Sequence, residues 1–219
     1  MLRGIFVTGT DTGIGKTVTC AALLHRVQRE RPVRYWKPIQ TGIEEDDDTA
    51  TVRRLSGCRA DQVLDEGVRL PRPLSPHLAA RLRGVTIDVE TLAATAEGQP
   101  ASDVWIVEGA GGVLVPIDER TLMVDFMRRL ALPVLVVARS ALGTINHTLL
   151  TVEALRTRAL VVAGVVMVGR PNADNREAIE HYGGVSVLAE LDLLDSLTPQ
   201  SLQQAALALD QARFAQMFP

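Results

Sequence analysis

Gly9-Thr10-Asp11-Thr12-Gly13-Ile14-Gly15-Lys16-Thr17 follows the apolar run at residues 5–7 and opens a segment of helical periodicity. Strand, glycine loop and helix, in that order, is what a nucleoside triphosphate site requires. Glycines let successive backbone N–H groups turn toward phosphates, and the helix N-terminus adds partial positive charge. Lys16 is placed to reach the β and γ phosphates, and the Thr17 hydroxyl to ligate Mg2+. Downstream, Cys20, Leu23, Leu24 and Val27 form an i, i+3, i+4, i+7 stripe, as an amphipathic helix should. The strict pattern GxxxxGK[ST] asks for glycine at position 10; the chain has Thr10 there, and Gly9 falls one residue early. A glycine-rich turn that binds no phosphate is the competing reading.

Around that loop the strand signals recur at residues 4–8, 33–37, 104–108, 133–139, 162–168 and 185–188. Most are continuous apolar runs, the pattern of strands buried on both faces. Helical patterns lie between them at 16–31, 48–56, 88–96, 122–131, 144–156, 175–181 and 199–214, the last with Thr198 as N-cap and Pro199 in the first turn. This alternation predicts an α/β fold of the P-loop NTPase kind, a mainly parallel sheet with helices on both faces. Pro71, Pro73 and Pro76 punctuate a loop rather than a domain boundary, so residues 1–219 read as a single domain.

Composition narrows the function classes. The 219 residues are 47% hydrophobic and 22% charged, as in a globular domain with ample core. A net charge of −3 and an aromatic content of 4% argue against a nucleic-acid partner or an anionic membrane. Cys20 and Cys58 have neither CxxC nor metal-ligand spacing, which fits a reducing compartment. Met1-Leu2-Arg3 leads straight into the first strand without room for a signal peptide, and the longest apolar stretch, residues 159–168, is about half a bilayer span. The expectation is a soluble, cytoplasmic protein.

In an open α/β sheet the carboxyl ends of the strands line the ligand crevice. Three predicted strands end in chemistry-bearing residues: the first in the glycine loop, the second in Lys37, the third in Glu108-Gly109-Ala110-Gly111-Gly112. Lys37, held extended by Pro38, brings a second ammonium to a transferring phosphoryl group, or is a solvated strand-end lysine. Glu108 follows Trp105-Ile106-Val107; a carboxylate ending a buried strand needs a partner or a metal. In the acidic run Glu44-Glu45-Asp46-Asp47-Asp48, Asp48 is a helix N-cap on the plain reading and a Mg2+ ligand on the functional one. Ser75-Pro76-His77 polarises a substrate or caps a helix beginning near Leu78. His25 and His181 read as solvated helix-surface residues, and His147 as a cap or interface residue. No zinc spacing occurs.

Taken together, Phe6-Val7-Thr8-Gly9-Thr10-Asp11-Thr12 with Gly15-Lys16-Thr17, Lys37-Pro38-Ile39-Gln40-Thr41-Gly42, Ser75-Pro76-His77, Val107-Glu108-Gly109-Ala110-Gly111-Gly112 and Gly143-Thr144-Ile145-Asn146-His147 resemble the dethiobiotin synthetase family. The extra residue in that family's phosphate loop accounts for Thr10. The resemblance implies a homodimeric, Mg2+-dependent ligase that makes dethiobiotin from 7,8-diaminononanoate, CO2 and ATP, through a carbamate and a carbamic-phosphoric anhydride. It implies Lys16 and Lys37 as phosphate and carbamate lysines, Thr12, Lys37 and Thr41 as substrate contacts, and Thr17, Asp48 and Glu108 as metal ligands. Thr12, Gly13, Ile14, Gly15, Lys16, Thr17, Asp48, Glu108, Gly109, Ala110, Gly111, Val168 and Gly169 are the implied nucleotide-binding positions. The chain departs from the family where an asparagine often reads adenine, here Val168, and where a proline is expected, here Asp192; acceptance of other nucleoside triphosphates is therefore expected. Two alternatives use the same loop. A partitioning or cluster-carrier ATPase switch carries a lysine where this chain has Asp11, and a cobalamin-pathway amidoligase carries a glutaminase domain for which no residues are left over.

Overall fold

The computed structural model describes residues 2–100, 102–194 and 196–210. In chain order its elements are β1 (Arg3–Gly9), α1 (Lys16–Val27), β2 (Val33–Trp36), β3 (Ile39–Thr41), α2 (Asp48–Ser56), β4 (Val63–Leu64), β5 (Val68–Leu70), α3 (Pro76–Arg83), α4 (Val89–Glu97), β6 (Val104–Gly112), α5 (Met123–Leu130), β7 (Val134–Arg139), α6 (Thr144–Arg156), β8 (Val162–Val168), α7 (Ala173–Gly183), β9 (Val187–Leu191) and α8 (Pro199–Asp210). Seven strands pair in the order β4-β2-β6-β1-β7-β8-β9, every pair parallel, and β3 and β5 form a separate parallel pair. The expected α/β architecture is the one observed.

Burial on both faces explains the continuous apolar runs. Along β1, Ile5 and Val7 pack toward α1, α2 and α8, whereas Phe6 packs toward α3–α7 on the opposite face. The same alternation holds in β6, with Ile106 on the α1 side and Trp105 and Val107 on the other. It sends Glu108 toward α1. The register Val7↔Glu108 and Trp36↔Val107 brings the ends of β1, β2 and β6 together at one edge of the sheet.

Several boundaries differ from the sequence expectation. Helix α1 stops at Val27 instead of continuing to residue 31. Its apolar stripe ends there, and Pro32 disfavours helical backbone at Arg31. The last strand runs Val187–Leu191, later than residues 185–188. Strands β3, β4 and β5 were not foreseen. Helix α3 begins at Pro76, within the segment read as a loop. Beyond residue 210, the expected continuation of the last helix to 214 lies outside the described residues. His25 is not merely solvated: half-buried, it pairs through Nδ1 with the Ser56 carbonyl at 3.1 Å and links α1 to the end of α2. Among the described residues no helix is long and apolar enough to cross a membrane.

Candidate active site

The glycine loop bends because Gly13 and Gly15 adopt left-handed backbone, φ 68° and 98°. Glycine takes that conformation at no steric cost. Gly15 caps α1, so Lys16 and Thr17 occupy its first turn. The Lys16 ammonium is buried and donates to the Asp11 carbonyl at 2.9 Å, folding back over the loop. Burial, then the neighbouring Lys37, lowers its pKa below that of an ordinary lysine. Asp11, at the tip, accepts the Thr12 N–H at 2.8 Å and pairs with Arg139 at the end of β7.

Four side chains meet beside the loop, from α1, α2, β6 and the residue that follows β2. Thr17 Oγ1 lies 2.6 Å from Asp48 Oδ1 and 3.0 Å from Glu108 Oε1, and its single proton serves one of them at a time. Lys37 Nζ lies 2.5 Å from Asp48 Oδ2 and 2.8 Å from Glu108 Oε1. Lys37 is 3% exposed and Glu108 is 0% exposed. The solvated strand-end reading of Lys37 is therefore wrong: the lysine is buried because it is paired. Burial alone would lower its pKa, but the Glu108 and Asp48 carboxylates outweigh that and raise it well above the usual amine range. Burial would raise the pKa of Asp48, yet Lys37 and the hydrogen bonds from Lys37 and Thr17 hold it below the usual carboxylate range.

The acidic run resolves into separate tasks. Asp47, not Asp48, is the N-cap of α2, its carboxylate accepting the Ala50 N–H at 3.0 Å. Asp48 is thereby left to face Lys37. One hydroxyl and two carboxylates make a hard-oxygen donor set of the kind Mg2+ takes together with nucleotide phosphates. Among the described residues no three His, Cys, Asp or Glu side chains converge to hold an ion by themselves.

A cavity of about 670 Å3 opens above this cluster, a size ordinary for a small-molecule site. Of the residues singled out from sequence, Thr12, Gly13, Gly15, Lys16, Thr17, Lys37, Thr41, Asp48, Glu108, Ala110 and Gly111 line it, as do Ser75 and Pro76. Ile14 instead turns its side chain into the core, and Gly109 underlies the site with its carbonyl 3.4 Å from Lys37 Nζ. Val168 packs against the phosphate loop, where a Cβ on Gly15 would stand 3.0 Å from its Cγ1. The Val168 carbonyl accepts the Ser140 N–H at 3.0 Å, and the Gly169 N–H donates to Leu191 at 2.8 Å. His77 sits in α3, and its Nδ1 is buried without a hydrogen-bond partner among the described residues. Exposed His147, with Leu114, Leu150 and Thr12, lines a second concavity of about 400 Å3 that shares Thr12 and Val115 with the first. One contributor was missed in the sequence: Tyr35, whose buried hydroxyl donates to Glu108 Oε2 at 2.8 Å. Nothing in its immediate neighbours marks it, because the contact crosses from β2 to β6.

A family model described as an AAA domain matches residues 3–201. The ATP-dependent dethiobiotin synthetase BioD of Paramagnetospirillum magneticum is 50% identical over 201 residues, covering 92% of this chain and 93% of that protein. The BioD of Agrobacterium fabrum is 47% identical, covering 91% and 90%. The bifunctional biotin-biosynthesis protein BioCD of Bordetella avium is 48% identical over 91% of this chain, which spans 42% of that longer protein. Among solved structures, the MinC:MinD cell division complex of Aquifex aeolicus aligns with a TM-score of 0.62 at 15% identity, covering 98% of this chain and 95% of that one. A ParA family ATPase from Chlorobium tepidum aligns at 0.55 and 12% identity, covering 99% and 95%. Identities that low speak to fold alone. The sequence relatives, each near half identical across nine-tenths of this chain, distinguish the family from that shared fold: the chain belongs to the ATP-dependent dethiobiotin synthetases.

Proposed function

We propose that the cavity above Lys16, Lys37 and Glu108 is where this chain performs the ATP-dependent synthesis of dethiobiotin, with 7,8-diaminononanoate, CO2 and a nucleoside triphosphate as its substrates. One amine adds to CO2 and loses a proton, giving a carbamate. A carbamate oxygen attacks the γ-phosphorus and displaces the nucleoside diphosphate. The second amine then attacks the carbamoyl carbon, closing the cyclic urea and expelling inorganic phosphate. Both amines belong to one molecule, so orientation supplies much of the rate. The remainder is neutralisation of oxyanions at a transferring phosphoryl group.

In this reading Lys16 leaves the Asp11 carbonyl for the β and γ phosphates. Lys37 steadies the carbamate and the oxygens that gain charge during transfer, and Thr12 and Thr41 orient the substrate from the cavity wall. Thr17, Asp48 and Glu108 would hold Mg2+, which would supply charge neutralisation on the triphosphate. The observation that carries the proposal is the placement of Lys37: a buried, paired ammonium at the cavity edge, outside the phosphate loop. Such a cation is unnecessary for holding a nucleotide and useful for an anionic second substrate.

The chain is read as a single domain acting as a homodimer. Leu114 and Leu150, 51% and 56% exposed, rim the second concavity and give a second copy apolar surface to cover. Purified protein mixed with diaminononanoate, bicarbonate, Mg2+ and ATP should yield dethiobiotin by mass spectrometry. Nucleotide binding without product would overturn the proposal.

A further inference from the structure

Glu108 uses both carboxylate oxygens. Oε1 lies with the cavity-lining Lys37 and Thr17, at 2.8 and 3.0 Å, and Oε2 turns away from them to accept the Tyr35 hydroxyl at 2.8 Å. The sheet register explains the reach. Tyr35 pairs with Ile106, and alternation along β6 puts Glu108 on the same face, two residues nearer the strand's end. Tyr35 is 0% exposed and sits in the α1-side core among apolar residues that include Val33, Leu55 and Ile106. A phenylalanine would satisfy that core equally well, so packing does not account for the hydroxyl.

The torsion that carries a glutamate's carboxylate is soft. Without the Tyr35 hydroxyl the group would be held chiefly through Oε1, by Lys37 and Thr17, and Oε2 would be a buried acceptor that had lost its donor. We infer that Tyr35 is a positioning residue: its hydroxyl fixes the Glu108 carboxylate so that Oε1 is presented to the Mg2+ that accompanies the triphosphate. The inference rests on the assignment of Glu108 to Mg2+ made above. Tyr35 does not line the cavity and acts through Glu108, as outer partners of metal-ligating carboxylates do.

The test is calorimetric binding of a non-hydrolysable ATP analogue, with and without Mg2+, to the wild-type chain, Tyr35→Phe, Glu108→Gln and the double variant. In Tyr35→Phe the affinity gained on adding Mg2+ should fall about tenfold, the usual scale for losing such a partner. Mg2+-free binding should be unchanged, and the double variant should be no worse than Glu108→Gln. If Tyr35→Phe keeps the wild-type gain while Glu108→Gln loses it, Tyr35 only packs and the inference fails, with Glu108 left in the metal shell. If Glu108→Gln also keeps the gain, the assignment of Glu108 fails and takes Tyr35 with it. A Tyr35→Phe chain that cannot fold would equally overturn the inference, because the hydroxyl would then serve the fold.

Discussion

Asp47 and Asp48 are consecutive carboxylates with different partners: Asp47 accepts the Ala50 N–H at 3.0 Å, and Asp48 Oδ2 lies 2.5 Å from Lys37 Nζ. The helix they begin sets the division, since its cap must point back along the axis while the next residue projects sideways into the site. Asp47→Ala should therefore lower stability by about 1 kcal/mol, the usual cost of an N-cap, and leave the Mg2+ requirement of synthesis untouched. Asp47→Asn should be near neutral, because asparagine caps equally well. Asp48→Asn and Glu108→Gln should raise the Mg2+ concentration needed for half-maximal rate, an amide oxygen being a weaker ligand than a carboxylate. Denaturation curves paired with Mg2+ titrations check both; a stronger metal effect at Asp47 than at Asp48 would reverse their roles.

Lys37→Gln should cut kcat about a hundredfold, roughly 3 kcal/mol of lost charge stabilisation, while nucleotide affinity changes little. The substitution also leaves Asp48 and Glu108 without the cation between them. Mg2+ should consequently raise the melting temperature of the variant more than that of the wild-type chain. Near-normal kcat at saturating substrates would make the lysine a structural counter-ion only.

The same ion pair predicts how the nucleotide-free, metal-free chain responds to pH. Asp48 is held below its unfolded value of 3.8, so its contribution is complete above that value and disappears as pH falls through the lower folded value. Lys37 is raised above 10.5, so its contribution is complete below 10.5 and is lost as pH rises through the folded value. Urea unfolding should give a plateau across neutral pH with a decline on either side. In Asp48→Asn the plateau should be lower and the acid decline shallower; an unchanged acid limb would show that Asp48 does not carry it.

How much of this was legible in the sequence depends on the range of each interaction. Helices at Asp48–Ser56 and Thr144–Arg156 and the strand Val162–Val168 coincide with their sequence expectations, because local apolar periodicity and turn residues bound them. Strands β3, β4 and β5 have only two or three residues each, too few to display a period. Thr17, Lys37 and Glu108 could be read from motif and strand end, since the sheet delivers strand ends to one crevice. Asp47 and Asp48 could not be separated, since both are good caps by residue type. Tyr35 was invisible because its role depends on the register between strands about seventy positions apart in the chain.

That dependence on register also bears on the nucleotide base. On the family resemblance the position where an asparagine often reads adenine falls at Val168, whose side chain offers no hydrogen-bonding group; its carbonyl accepts the Ser140 N–H, and the next N–H donates to Leu191. The valine methyls lie against Gly15, in the phosphate loop. Hydrogen-bond readout of a polar edge discriminates strongly, whereas apolar contact tolerates exchange. GTP, CTP and UTP should therefore support dethiobiotin formation within about tenfold of ATP in kcat/KM, roughly 1.4 kcal/mol. Removing the γ-phosphate should weaken binding more than exchanging the base does, because on the proposed assignment the loop, Lys16 and the Thr17–Asp48–Glu108 group all act on the triphosphate. A side-by-side assay of the four nucleotides decides it. A preference for ATP of about a thousandfold would exceed what apolar contact supplies, and would require an adenine-reading group elsewhere in the site.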